Sequence, residues 1–290
     1  MDNAILNLYK KCRLCPRKCL VDRTAGNTGF CGAQEQITIA SHMAHRFEEP
    51  AISGNRGSGA IFFSYCTGRC CYCQNFSYSR GQRGQKTSIE KLADIMLRLQ
   101  EKQCHNINLV SPTHYVPSII SAIDMARRKN LRIPILYNSS GYESAETIDL
   151  LKGYVDIYMP DLKYSNDALA KEHCGFIEYS RHNIAALKKM NEQVGNLIID
   201  KNGIALKGLL IRHLILPGQI ENTKRSLELI AENLGTDTHI SLMSQYSPTP
   251  NVKSDPGLGR RISIIEYQKA QTYMMKMGFK NGWTQNFFKK

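Results

Sequence analysis

No apolar run in this 290-residue chain is long enough for a helix to span a bilayer. The start, Met1-Asp2-Asn3-Ala4-Ile5-Leu6-Asn7, has no basic segment and no long apolar stretch, so no secretory leader is expected. These two absences point to a cytoplasmic protein with no membrane partner. No internal repeat or low-complexity tract is visible, so a repeat architecture is not expected. Acidic residues are outnumbered: 38 Lys and Arg against 25 Asp and Glu, a formal net charge of +13. The basic residues are scattered in short runs such as Arg127-Arg128-Lys129, Lys188-Lys189 and Arg260-Arg261. No segment alternates aromatic and basic residues as RNA-binding sheets do, so nucleic acid is not the expected partner. An acidic protein partner, an anionic substrate or plain solubility accounts for the excess charge.

What is present is a 42% apolar fraction, enough for a substantial core, and ten cysteines. In a cytosolic chain that many cysteines argue for metal binding rather than disulfides. Two units are expected. Residues 1–57 form a small cysteine-rich, turn-rich extension, and residues 58–290 alternate apolar runs with helix-period stretches. Strands are expected at 60–65, 106–110, 133–137, 155–159, 209–216 and 239–243. Helices are expected at 88–100, 116–128, 144–151, through about 190, at 223–234 and at 262–277. A hairpin turning at Asn202-Gly203 precedes the fifth strand. Nearly continuous apolar strands in strand–helix pairs imply a parallel sheet with helices outside. Six pairs rather than eight suggest an incomplete barrel, an α/β partial (β/α)6 TIM-like barrel. Its site belongs at the carboxyl ends of the strands.

Directly after the first strand comes Cys66-Thr67-Gly68-Arg69-Cys70-Cys71-Tyr72-Cys73. Thiolates at Cys66, Cys70 and Cys73 can hold three irons of a cubane 4Fe–4S cluster and leave the fourth open to a small molecule. Electron carriers usually close the cluster with four cysteines. The stretch has no second C-x2-C and no nearby His, which argues against a zinc knuckle. Cys71 falls outside the spacing and reads as a packing residue or a spare thiol. A second set, Cys12, Cys15, Cys19 and Cys31, can close a tetrahedral zinc site or a four-thiolate Fe–S cluster. Arg13, Arg17 and Lys18 beside it help keep the thiolates ionised.

The spacing of Cys66, Cys70 and Cys73, with Tyr72 before the last, resembles the signature of the radical S-adenosylmethionine (SAM) enzymes. A narrower resemblance rests on four stretches: Cys12-Arg13-Leu14-Cys15-Pro16-Arg17-Lys18-Cys19, Gly29-Phe30-Cys31-Gly32-Ala33, Glu48-Glu49-Pro50 with Ile52-Ser53-Gly54, and the loop ending Gln74-Asn75. Together they look like a subgroup of pyruvate formate-lyase-activating-enzyme homologues. The likeness spans most of the chain and is most specific over residues 12–75. It implies the partial-barrel fold, a 4Fe–4S cluster on Cys66, Cys70 and Cys73, SAM chelated at the open iron, and a 5′-deoxyadenosyl radical.

The resemblance also places cofactor contacts. Where activating enzymes carry Gly-Gly-Glu-Pro, this chain has Val110-Ser111-Pro112-Thr113-His114-Tyr115. Ser111 and Thr113 can accept from the methionyl ammonium there, but no carboxylate is present. Asn138-Ser139-Ser140-Gly141 stands where the family has Asp-Thr-Asn-Gly, and its small polar groups suit ribose or carboxylate contacts. Asp161-Leu162-Lys163 matches the family's Asp-Leu-Lys, and Asp161 and Lys163 share a face of an extended chain. Arg212 matches a family arginine near the cofactor carboxylate, whereas His213 points the other way. Gln245 and Tyr246 stand near a family histidine, in a Pro- and Gly-rich loop that reads as substrate-facing.

The implied activity is hydrogen abstraction, with a glycyl radical enzyme as substrate and a flavodoxin- or ferredoxin-like electron donor. One alternative is radical modification of another protein, peptide or small molecule. Another is a non-catalytic Fe–S electron-transfer or sensor protein, and a zinc-stapled nucleic-acid module is the last.

Overall fold

The computed structural model describes residues 3–285. Met1, Asp2 and residues 286–290, which fall in the expected first and second units, lie outside the described residues. Strands are β1 (Ile37–His45), β2 (Ser58–Phe63), β3 (Gln85–Thr87), β4 (Ile107–Val110), β5 (Ile135–Ser139), β6 (Ile157–Pro160), β7 (Ile198–Ile199), β8 (Ala205–Leu214), β9 (His239–Met243) and β10 (Gly282–Thr284). Helices are α1 (Asn3–Leu6), α2 (Pro50–Ser53), α3 (Phe76–Ser79), α4 (Ile89–Glu101), α5 (Val116–Arg128), α6 (Ala145–Leu150), α7 (Asp167–Cys174), α8 (Tyr179–Val194), α9 (Ile220–Leu234) and α10 (Ile264–Lys276).

The sheet order is β10-β9-β8-β6-β5-β4-β2-β1-β3, with β7 paired to β8. From β2 to β10 the neighbours on this path are parallel. The fold is therefore an α/β open, mostly parallel sheet, as a partial barrel requires. All six expected strands are among its members. The first ends at Phe63 rather than at 65, because Tyr65 takes a left-handed backbone (φ 71°) that turns the chain into the cysteine loop. Three additions extend the sheet, one of them β3, which pairs antiparallel with β1. The β1 strand pairs antiparallel with β2, and β10 adds in parallel to β9.

Strand alternation divides the core between two faces. Ile107, Leu109, Ile135, Tyr137, Tyr158, Leu209, Ile211, Ile240 and Leu242 pack on the side of the long helices in one large cluster. Leu136, Ile157, Met159 and Leu210 join Ala51, Ile52, Leu197 and Ala205 in a second, smaller cluster. Above this smaller cluster, the same face carries polar residues at the strand ends: Asn108, Asn138, Asp161 and Arg212. Local signals set the helix starts. The Ser88 side chain accepts from Lys91 N–H at the head of α4, and Ser263 and Glu266 form a capping box at the head of α10. No helix among the described residues is long and apolar enough to cross a membrane.

Candidate active site at the strand ends

The cysteine loop is held by helix α7. Helix C-termini leave carbonyls without partners, and here the loop supplies them: Arg69 N–H donates to Cys174 O and Cys71 N–H to His173 O, both at 2.8 Å. Gly68 lets the loop settle, since a Cβ there would come within 2.6 Å of the Phe176 ring. The loop at 244–259 packs against the other side. Thr249 Oγ1 donates to Cys71 O at 3.0 Å, and Gln74 Nε2 to Ser247 O at 2.7 Å.

Cys66, Cys70 and Cys73 are part-buried and close enough to raise one another's pKa. Burial, then the Cys70 thiol, pushes Cys66 up to about 12. The Cys174 thiol, then burial, raises Cys70, and burial raises Cys73. The Lys163 ammonium works against the rise at all three. Thiols crowded out of water and next to a cation are ionised by a bound metal, so this donor set fits an iron–sulfur cluster. Among the described residues no three His, Cys, Asp or Glu side chains converge as ligands of a single ion. Cubane thiolates sit on separate irons and do not need to converge.

A part-buried chain of charge leads away from the loop. Lys163 Nζ donates to Asp161 Oδ2 at 2.5 Å. Arg212 Nε donates to Asp161 Oδ1 at 3.2 Å, its Nη1 to Glu48 Oε2 at 3.2 Å and its Nη2 to Asn138 Oδ1 at 3.1 Å. Asn108 Nδ2 donates to Glu48 Oε1 at 3.1 Å. Burial disfavours each ion, but for Asp161 the Lys163 and Arg212 charges outweigh it and hold the carboxyl below its ordinary pKa. For Lys163 the Asp161 carboxylate outweighs burial and raises the ammonium above its ordinary value. Glu48 is raised, by burial first. Two buried acceptors, Glu49 Oε2 and Asn108 Oδ1, have no protein partner. Glu48, Glu49 and Arg212 open onto a cleft of about 210 Å³ walled by Phe47, Gln245 and Trp283.

The structure thus brings Asp161, Lys163, Arg212 and Asn138 together beside Cys66, Cys70 and Cys73. The other expected residues flank this group and have partners of their own or stay part-exposed. Tyr72 is buried, with its hydroxyl 2.6 Å from that of Tyr164. The buried Thr113 hydroxyl donates to Glu143 Oε1 at 2.7 Å. Ser139 Oγ accepts from Gly141 N–H at 3.2 Å. Ser111, with a left-handed backbone (φ 57°), and Ser140 keep part-exposed side chains at their strand ends. His213 faces the helices, bonded to Leu162 O and Thr223 Oγ1. Gly141 has φ 70°, and a Cβ there would lie 2.1 Å from Asp161 O. Gly141→Ala is therefore expected to cost about 1–3 kcal/mol in a denaturant melt.

Cys12, Cys15, Cys19 and Cys31 line one small cavity of about 10 Å³, with Arg17, Arg23 and His114. Burial pushes Cys15 up to about 12 and raises Cys31.

Sequence reasoning assigned no role to Glu48, Glu49, Asn108, Glu143 or Cys174. The signals were there: two adjacent acids before Pro50, an amide within an apolar strand, and a cysteine outside both motifs. Cys174 donates to Tyr72 Oη at 3.6 Å behind the cysteine loop. Glu143 is fully buried, and burial lifts its pKa from 4.5 to about 7. An acid raised in the folded state holds its proton there while the unfolded chain has lost it. Its stability contribution is therefore complete below pH 4.5 and is lost as pH rises through about 7. Denaturant melts across that window should show a fall of roughly 3 kcal/mol that Glu143→Gln removes; an unchanged slope in the variant would refute the assignment.

A protein-family profile, the Radical SAM superfamily, matches residues 60–230. The uncharacterized protein MJ0674 of Methanocaldococcus jannaschii is 28% identical over 276 residues, which cover 91% of this chain and 74% of that protein. Among solved structures, methylornithine synthase (PylB) aligns with a TM-score of 0.52 at 15% identity, over 75% of this chain and 62% of that one. The FeFe-hydrogenase maturase HydG from Carboxydothermus hydrogenoformans aligns with a TM-score of 0.51 at 16% identity, over 73% of this chain and 49% of that one. This chain spans less than two thirds of either solved structure, and at these identities they share its fold.

Proposed function

The chain belongs to the radical SAM superfamily, and we propose that it cleaves SAM reductively with a 4Fe–4S cluster on Cys66, Cys70 and Cys73. When bound, such a cluster supplies the electron that splits the cofactor's sulfonium and releases a 5′-deoxyadenosyl radical for hydrogen abstraction. The observation that carries this reading is the part-buried line of charge running from the cysteine loop through Lys163, Asp161 and Arg212 to Glu48. Lys163 and Arg212 offer donors to the cofactor carboxylate, and Asn138 steadies the Arg212 fork. Glu49 Oε2 and Asn108 Oδ1, buried acceptors without partners, suit the methionyl ammonium. They supply, from the head of α2 and from within β4, the acceptor that the stretch 110–115 lacks. Ser111 and Ser140 remain available for ribose contacts, while Tyr72, Thr113 and Ser139 support the site at one remove.

The finer reading is activation of a glycyl radical enzyme, with a flavodoxin- or ferredoxin-like protein as the one-electron donor. The aromatic-walled cleft beside Arg212 favours a second reading, radical modification of another protein, peptide or small molecule. The ten unpaired thiols suit the reducing cytoplasm. We assign Cys12, Cys15, Cys19 and Cys31 to a second metal site, zinc or Fe–S, which iron, sulfide and zinc analysis of anaerobically prepared protein decides.

The test is formation of 5′-deoxyadenosine from SAM by the reconstituted, reduced protein, alone and with a glycyl radical enzyme as acceptor. Cleavage with a glycyl radical signal on the acceptor supports activation. Cleavage without that signal on any candidate acceptor discards activation in favour of the second reading. An intact, reducible cluster with no cleavage under either condition sinks the enzyme reading and leaves an Fe–S electron carrier or sensor.

A further inference from the structure

We propose that Arg17 is a positioning residue through which the N-terminal cysteine unit holds the Cys66–Cys73 loop in shape and tunes its cluster. The proposal rests on the cluster reading above and goes beyond it, because nothing in that reading gives the cysteine segment 12–31 a part in the chemistry.

Arg17 lies between Cys15 and Cys19, and its guanidinium reaches out of that unit to two backbone carbonyls. Nε donates to Thr67 O at 2.9 Å, and Nη2 donates to Gly175 O at 2.7 Å. Thr67 is buried between Cys66 and Cys70. Gly175 is the left-handed residue that ends α7, with φ 67°. One side chain therefore bridges the cysteine loop and the helix end on which that loop is built. It completes a set, since the carbonyls of His173 and Cys174 already take the loop's own N–H groups. A cation is also favoured at a helix C-terminus.

The fork is clamped in its own turn. Its guanidinium carbon lies 3.3 Å from the centre of the Phe30 ring and 5.4 Å from that of Tyr142. Arg69, from the cysteine loop, covers the same ring at 4.2 Å and donates from Nη2 to Phe30 O at 3.2 Å. Phe30 precedes Cys31, so the two units are joined by two arginines stacked on one aromatic ring.

Two consequences follow from the chemistry of the fork. Two donors in a fixed plane hold Thr67 O and Gly175 O at one spacing, which a lysine's single ammonium cannot reproduce. The fixed positive charge next to the loop favours the more negative, reduced state of a cluster bound there.

The experiment compares reconstituted wild type, Arg17→Ala and Arg17→Lys by cluster midpoint potential and by the electron paramagnetic resonance of the reduced state, with and without SAM. Arg17→Ala is expected to shift the potential to more negative values, to broaden the signal, and to slow cofactor cleavage about tenfold. Arg17→Lys is expected to keep the wild-type potential while the signal stays broadened, separating charge from geometry. A wild-type potential and signal in Arg17→Ala would overturn the proposal. Should Arg17→Ala fail to take up iron, hydrogen exchange of the metal-free proteins decides. Faster exchange confined to the Arg69 and Cys71 amides, at an unchanged melting temperature, supports the proposal, and unchanged or global exchange refutes it. A wild-type protein that forms no cluster on Cys66, Cys70 and Cys73 instead fails the reading on which the proposal rests, and the two failures are thereby told apart.

Discussion

Replacing Cys66 by alanine is expected to reduce formation of 5′-deoxyadenosine from SAM to background while the fold persists. Each of the three thiolates would hold one iron, and Cys71 falls outside their spacing, so losing Cys66 removes one of the cluster's three protein contacts. The fold should tolerate the change. In the loop the Cys66 sulfur accepts one long bond, from Gly68 N–H at 3.4 Å, while the loop's docking to α7 runs through backbone groups. The measurement is product formation beside the thermal melt, with Cys71→Ala as control. The Cys71 amide and carbonyl bond His173 and Thr249 through the main chain, and alanine keeps both. Cys71→Ala should therefore retain cluster and turnover. Equal loss in both variants would show that the three ligands have been chosen wrongly.

Asp161→Ala is the second large effect, and here stability and cofactor binding fall together. The carboxylate receives Lys163 on one oxygen and Arg212 on the other, and its side chain is only 10% exposed. Removing it leaves two largely buried cations facing each other, with Glu48 and Asn138 the remaining partners of Arg212. Breaking such a pair costs about 3–5 kcal/mol, a large share of a typical domain's roughly 5–15 kcal/mol. A urea melt of Asp161→Ala should show that loss. Adding Lys163→Met should recover part of it, because one unpaired charge is then gone. A double variant no more stable than the single one would show that the pair is not coupled. Equilibrium binding of SAM to reconstituted Asp161→Asn, which keeps the shape without the charge, is expected to weaken about tenfold, or ~1.4 kcal/mol.

Six parallel strands were legible because each is a short, nearly continuous apolar run bounded by helix-period sequence. The cysteine loop was legible for a different reason: three ligands within eight residues have a spacing that does not depend on the rest of the fold. The β1 strand was not expected. Alternation is clean only over Ile37 and Ile39, and beyond them the half-exposed Ser41-His42-Met43-Ala44 carries no period. Its pairing is set by the free edge of β2, a partner that no local pattern reveals. The three-residue β10 is too short to announce itself, and its register against β9 is again a tertiary choice.

The sequence by itself determined the alternating strand–helix order, the spacing of both thiol sets and the pairing of Asp161 with Lys163, since all of these depend on neighbours a few positions apart. Only the tertiary structure decided that Glu48 meets Arg212 across 164 residues, that Thr113 turns to Glu143, and that Arg17 reaches Thr67. Such contacts answer to burial: a charged or polar group taken out of water must find a partner. Which partner it finds depends on where the folded sheet and its loops bring the chain together.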